Sequence, residues 1–161
     1  MGTRVTRDFF HGYAMNAVDA KNRLSVPAAY RDVIERRTQS RTVVLAPHPR
    51  GLPCLVGYDI GRTARLQDQI DQKYGADYGE ARENEARALF GVSEDVNYDE
   101  NGRFILSADL REWAEIEKHV FFIAMGDYFE VWNPHILLRE RSEDVVISRL
   151  VKRQLEAKGA A

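Results

Sequence analysis

A thirteen-residue stretch of this chain returns eighty positions later, and that duplication limits the available folds more than any other feature. Asp19-Ala20-Lys21-Asn22-Arg23-Leu24-Ser25-Val26-Pro27-Ala28-Ala29-Tyr30-Arg31 comes back as Asp99-Glu100-Asn101-Gly102-Arg103-Phe104-Ile105-Leu106-Ser107-Ala108-Asp109-Leu110-Arg111. Asp19 falls on Asp99, Arg23 on Arg103, Ala28 on Ala108 and Arg31 on Arg111. Leu24, Val26 and Tyr30 fall on Phe104, Leu106 and Leu110, and beyond the blocks Val33 falls on Trp113 and Ile34 on Ala114. Two short copies predict a two-fold pseudo-repeat and not a solenoid, which needs at least three stacked units.

Each copy has a readable local plan. Asn101-Gly102 signals a tight turn because both residues tolerate positive φ, and Asn22 fills the glycine position in the first copy. The aspartate opening each turn can accept the turn's own amides, and the arginine closing it stands at the rim. Leu24 and Val26 then alternate with Ser25, and Phe104 and Leu106 with Ile105, the two-residue period of a short strand. A helix follows, with Pro27 preset for a first helical position, Ser107 suited to an N-cap, and apolar stripes Tyr30/Val33/Ile34 and Leu110/Trp113/Ala114. Further strands are predicted over 11–18 and 92–98 upstream. Downstream they fall over 42–46 with 54–58 and 119–125 with 129–132, the last pair joined at Gly126-Asp127. Each half thus reads as strand, Asp-x-x-x-Arg turn, strand, helix, strand, strand.

This order resembles the MraZ family, bacterial transcriptional regulators built from two tandem AbrB/SpoVT-type units. The resemblance is carried by Phe10-His11-Gly12, the first Asp-x-x-x-Arg block with Tyr30-Arg31, Leu89-Phe90-Gly91 leading to Tyr98-Asp99-Glu100-Asn101-Gly102-Arg103, and the closing Glu130-Val131-Trp132. It covers roughly residues 9–140, and the doubled motif is what makes it specific. It implies an α+β protein, a swapped-hairpin (AbrB-like) β-barrel of two pseudo-repeats with flanking helices. The units would be 9–58 and 92–135, with a helical spacer over 59–91 and a C-terminal helix and tail over 136–161. It further implies a ring-shaped homo-oligomer that binds short direct repeats in double-stranded promoter DNA, mainly as a repressor of the division and cell-wall gene cluster. The protein would be cytoplasmic and nucleoid-associated, would not be an enzyme, and would need no cofactor or metal.

Carried over by position, the family's DNA-binding residues are Lys21 and Arg23, with Asn22 between them. Asp19, Asp99, Arg31, Arg103 and His11 form a second tier with DNA-binding or structural roles. The chain departs from the family at Asn22, where a glycine is usual, and at His11, where some members carry arginine. The second copy is less basic, with Glu100 and Asn101 where Ala20 and Lys21 stand in the first. A carboxylate beside the turn repels phosphate, so Arg103 is expected to pair with Asp99 or a neighbouring subunit and to serve structure.

Charge bears on this expectation through its distribution. The net charge is −2, yet residues 1–50 hold nine Lys/Arg against four Asp/Glu, which leaves a deficit of seven for the remainder. Such asymmetry points to a polyanion-facing N-terminal part. Arg36 and Arg37 are read instead as a solvated helix face. The single cysteine, Cys54, cannot form an internal bridge and reads as a small core residue, in keeping with a reducing compartment. No apolar run is long enough to span a bilayer, and no signal-peptide pattern opens the chain.

The remaining segments are read locally. Residues 1–8 look loose and basic, and His48 sits in a turn-rich loop and reads as exposed. Two helices fill the spacer, broken near Gly75; Leu66 and Ile70 mark one buried stripe and Ala86, Leu89 and Phe90 the other. Glu80, Arg82, Glu83, Glu85 and Arg87 read as solvated. Asn133-Pro134 opens a helix, and Ser142-Glu143-Asp144 restarts one whose stripe is Ile147, Leu150, Val151 and Leu155. That helix is expected to pack on the barrel, and residues 158–161 to fray.

Two rival classes have less support. An enzyme lacks motif support: His11, His48, His119 and His135 are scattered, and no P-loop, nucleophile or dinucleotide pattern is present. A protein-binding, antitoxin-like module of the same fold would carry one motif copy and a disordered arm, against two copies and a helix-patterned tail here.

Overall fold

The protein is described over residues 8–160 in a computed structural model, so the loose N-terminus expected for residues 1–8 lies, apart from Asp8, outside the described residues, as does Ala161. The first copy builds β1 (Tyr13–Ala17), β2 (Arg23–Ser25), α1 (Ala28–Thr38), β3 (Thr42–Pro47) and β4 (Leu55–Asp59). The spacer supplies α2 (Arg62–Tyr74) and α3 (Glu80–Ala86), which runs into a π-helical turn, Arg87–Gly91. The second copy repeats the plan as β5 (Glu94–Asn97), β6 (Arg103–Ile105), α4 (Ala108–Trp113), β7 (His119–Ala124) and β8 (Phe129–Trp132). Helices α5 (Pro134–Glu140) and α6 (Val145–Ala157) follow.

Six strands form one antiparallel sheet in the order β1-β7-β8-β4-β3-β5, and β2 pairs with β6 in a separate two-stranded ribbon. Exchanging the two halves leaves that order unchanged, read from the other end. Each half gives its first strand to the other half's third strand, β1 to β7 and β5 to β3. In the ribbon the equivalent residues Leu24 and Phe104 are paired with each other, so the pseudo-two-fold passes between them. The mixed α+β class is as expected. Among the described residues, however, no strand ladder joins the ribbon to the sheet to close a single barrel. Each ribbon strand has three residues between a turn and a helix start, and Pro27 at one exit has no N–H to extend the ladder.

One face of the sheet and the ribbon enclose the main core. Val43, Leu45, Leu55, Val120, Phe122, Phe129 and Val131 meet Leu24, Val26, Phe104 and Leu106, with Tyr30, Val33, Ile34 and Leu110 from α1 and α4. Gly57 is required there: a Cβ would stand 2.4 Å from two carbons of the Phe129 ring. The other sheet face carries two covers. Leu66 of α2 with Leu89 and Phe90 lies on Val44, Ala46, Val56 and Tyr58. Val151 and Leu155 of α6 join Met15, Phe121 and Trp132, so α6 packs back on the sheet as expected. Cys54 is fully buried and free, and burial pushes its thiol pKa up.

Several local expectations are corrected. Pro27 is the N-cap and not the first helical residue of α1, because its ψ of 140° is still extended. Trp113 is 47% exposed and leaves the apolar stripe. The six-residue α4 stops there, the chain turns at Glu115 with φ 50°, and Ala114 and Ile116 fill the core instead. Arg82 is buried and not solvated; it donates to Asp71 (2.6 Å) and to the carbonyl of Gly75, where α2 ends. Ala86, Leu89 and Phe90 are only half-buried. His48 is buried, since its Nδ1 accepts the Arg50 amide and its Nε2 faces Glu130 at 3.5 Å. The tail does not fray through Ala160, because Gly159 turns with φ 69°, Ala160 N–H bonds to Leu155 and its methyl joins the α6 cluster.

Arg37 also departs from a solvated helix face. It contacts buried Asp59 (3.4 Å) and Asp127 (2.8 Å), and Asp127 takes Arg62 and Arg65 as well, each at 2.9 Å. Burial works against the Asp127 charge. The hydrogen bonds from Arg37 and Arg62 and the Arg65 charge outweigh it and hold the carboxyl below the usual range. The network ties α1, the end of β4, α2 and the β7–β8 hairpin together.

Candidate nucleic-acid interface

The two Asp-x-x-x-Arg turns are built alike. Asp19 Oδ1 accepts the amides of Lys21 (2.9 Å) and Arg23 (2.8 Å), and Asp99 Oδ1 accepts those of Asn101 and Arg103, both at 2.9 Å. The other carboxylate oxygen takes the arginine Nε, at 2.8 Å for Asp19–Arg23 and 3.3 Å for Asp99–Arg103. The Arg23 and Arg103 backbone amides are the leading reason that both carboxyls titrate below the ordinary range. This accounts for the spacing of the motif, in which one carboxylate closes the turn with one oxygen and aims the guanidinium with the other. The terminal nitrogens of Arg23 and Arg103 bond no described residue and face outward. Arg103 pairs with Asp99 as expected, and Arg23 pairs with Asp19 in the same way.

The ribbon brings both arginines to one face. Leu24 and Phe104 point into the core, so the alternation turns Arg23 and Ser25 of β2 and Arg103 and Ile105 of β6 outward. Arg23 stands directly opposite Ile105, and Ser25 opposite Arg103. Arg23, Arg103 and Ile105 line one shallow depression with Tyr98 and Asp99. Lys21 is exposed on the first turn; Glu100 and Asn101 are exposed on the second.

Each turn is braced by the opposite half. The Val26 amide donates to the Gly102 carbonyl (2.8 Å) and the Leu106 amide to that of Asn22 (3.0 Å). Arg31 lies over Gly102, where a Cβ would fall 2.6 Å from its Nε, and its Nη1 donates to the Glu100 carbonyl (3.3 Å). Its partner by pseudo-symmetry, Arg111, donates to Asn22 Oδ1 and to the carbonyls of Ile116 and Glu117. Asn22 adopts φ 63° and Gly102 φ 82°, so both turns take the left-handed conformation that the sequence suggests. Asn22 Nδ2 also donates to the Leu106 carbonyl (2.5 Å), so both ends of that amide are engaged within the protein.

The structure therefore gathers Lys21, Arg23, Asp19, Arg103 and Asp99 around the ribbon, engages Asn22 and Arg31 as braces between the halves, and leaves His11 apart. His11 precedes β1 next to the Phe10–Gly126 bridge, whereas Asp19 follows the far end of that strand. The alternation of Ile105 with Phe104 and Leu106 was legible in the sequence, but not that it would place Ile105 beside Arg23. On the opposite sheet face a cavity of about 170 Å³ is lined by His48, Arg50, Tyr58, Arg62, Leu89 and Tyr128 among others. Among the described residues no three His, Cys, Asp or Glu side chains are grouped to hold a metal ion, and no helix is long and apolar enough to cross a membrane.

A family model described as MraZ protein, antitoxin-like, matches residues 89–138. The chain is 32% identical over 133 residues to a transcriptional regulator MraZ of Gluconobacter oxydans, covering 82% of this chain and 80% of that protein. It is 36% identical over 126 residues to the protein of the same name from Methylobacillus flagellatus (77% and 80% covered). The Bordetella pertussis protein is 31% identical over 136 residues (84% and 90% covered).

Proposed function

The chain belongs to the MraZ family of transcriptional regulators, and from that premise we propose that it binds promoter DNA through the outward face of the β2–β6 ribbon. The observation that carries the proposal is the pair of arginines on one ribbon face, each aimed by an aspartate through Nε and each with its terminal nitrogens free. A two-stranded ribbon fits the major groove, and an arginine presented end-on can pair with O6 and N7 of guanine. Arg23 is the principal reader. Lys21, exposed two residues earlier, takes a phosphate, which supplies affinity without sequence choice. Arg103 is a weaker second contact because Glu100 beside it repels the backbone. Asp19 and Asp99 are positioning residues, Asn22 and Arg31 brace the turns across the halves, and His11 has no part in it.

One such face binds weakly, since a bidentate pair discriminates by only about 1–3 kcal/mol. Short direct repeats met by successive subunits of a ring-shaped homo-oligomer raise affinity through effective concentration, with no further contact within each subunit. That is how a chain of net charge −2 holds a polyanion. The strand exchange supports an AbrB-like swapped-hairpin architecture, with units over 9–58 and 92–135, the spacer 59–91 and the segment 136–161. Bound at the promoter of the division and cell-wall gene cluster, such an assembly represses transcription; it works at the nucleoid in the cytoplasm and uses no cofactor. The rival antitoxin-like reading requires a free C-terminal arm, whereas α6 is seated on Met15, Phe121 and Trp132.

Anisotropy with duplex taken from just upstream of the protein's own gene tests the proposal. Arg23→Ala should lose specific binding, and Arg103→Ala should weaken it by a smaller factor, with both variants eluting as the wild type does from size exclusion. Unchanged binding by Arg23→Ala removes the assignment.

A further inference from the structure

We infer that Ile105 is a base-reading residue, packing its side chain against the 5-methyl group of a thymine within two base steps of the guanine taken by Arg23. The inference rests on the ribbon being the DNA-facing surface. Ile105 is 68% exposed although it lies in a strand whose neighbours Phe104 and Leu106 are buried. A single exposed isoleucine is ordinary on a protein surface; its register is what matters here. It is the direct cross-strand partner of Arg23, and the ribbon's four outward side chains are two arginines, a serine and this one branched aliphatic. The first copy has Ser25 at the equivalent position, so core packing does not require an apolar side chain there.

The chemistry follows from the groove. Thymine alone carries a methyl group in the major groove, and a small apolar side chain is the complement to it. Directly paired residues of an antiparallel ladder hold their Cβ atoms about 5 Å apart, and stacked bases are about 3.4 Å apart. A guanidinium on one base and the Ile105 methyls on another are therefore one or two base steps apart. Arg23 across the ribbon and Arg103 two residues earlier on the same strand flank Ile105 with guanidiniums whose terminal nitrogens bond no described residue, which suits a partner rich in hydrogen-bond acceptors better than a purely apolar one. Each repeat should accordingly contain a T·A pair within two steps of the guanine that Arg23 reads.

Replacing the thymines of the repeats with deoxyuridine deletes only the methyl groups and tests this directly. The wild-type protein should bind the uracil duplex about fourfold more weakly for each engaged repeat, the value of one buried methyl-sized group. Ile105→Ser should bind the thymine duplex with the same loss and should not distinguish the two duplexes, so that the two changes are not additive. Its elution from size exclusion should match the wild type. A wild-type protein that binds both duplexes tightly and equally overturns the role of Ile105 and leaves the proposed function standing. Failure to bind either duplex overturns the proposed function itself. An Ile105→Ser protein that elutes as a smaller species assigns the side chain to a contact between copies and also overturns the inference.

Discussion

At the scale of single residues, polar side chains in this protein do two jobs each. Asp19 closes a turn and aims a guanidinium; Asn22 takes a left-handed backbone and bridges to the other half. His48 accepts the Arg50 amide on Nδ1, so its remaining proton lies on Nε2, toward Glu130. Burial lowers its pKa first of all, Glu130 opposes that, and the Arg50 charge adds to it. The sign follows: the unfolded chain takes up a proton at about pH 6.5 while the folded chain resists it, so the unfolded state gains protons first and stability falls as pH drops below that value. His119 has a lowered pKa, with burial again the first cause, and contributes with the same sign. Melting temperature should therefore fall between pH 7.5 and 5, and His48→Gln should flatten part of that slope; an unchanged slope removes His48 as a source. No sequence signal gave the facing of His48 by Glu130, because that carboxylate is brought there by strand pairing between β4 and β8.

At the scale of elements, local chemistry was legible wherever it depended on neighbours in the chain. The turns and the Ser107 and Asn133 caps follow from residues within four positions of each other, and the β7–β8 hairpin from its Gly126-Asp127 turn. What was not legible depended on contacts between distant elements. Arg37 and Arg82 looked like surface charges because their acceptors belong to other segments. Trp113 looked buried because the helix stripe was extended by analogy with α1, which has eleven residues against six in α4. The same dependence predicts the behaviour of the turns. Asn22→Gly should destabilise the fold by about 1–2 kcal/mol, even though glycine suits a φ of 63°, because the bonds to the Leu106 carbonyl and Arg111 are lost. Urea unfolding measures this, and a neutral or stabilising result would mean that the brace contributes nothing.

At the scale of the whole molecule, the turn that exposes Lys21 was legible and the topology was not. Lys21 and Arg23 could be picked out from the motif and its resemblance, but that β2 would pair with β6 and bring Arg103 and Ile105 to the same face could not be read from either copy alone. The exchange makes each half depend on the other, since among the described residues β1 and β2 find their strand partners in β7 and β6. A fragment of residues 1–91 should be unfolded by circular dichroism at neutral pH, and mixing it with a fragment of residues 92–161 should restore the sheet signal. An N-terminal fragment that melts cooperatively on its own would contradict this dependence.

The crossing of strands between halves also sets the order of events on the ribosome. At roughly 5–20 residues per second, the opening strand waits several seconds for the partner lying about a hundred positions downstream. For that interval the nascent chain carries a strand edge with no partner, so its birth depends on shielding by the translation machinery or by holdase chaperones more than that of a protein assembled from neighbouring hairpins.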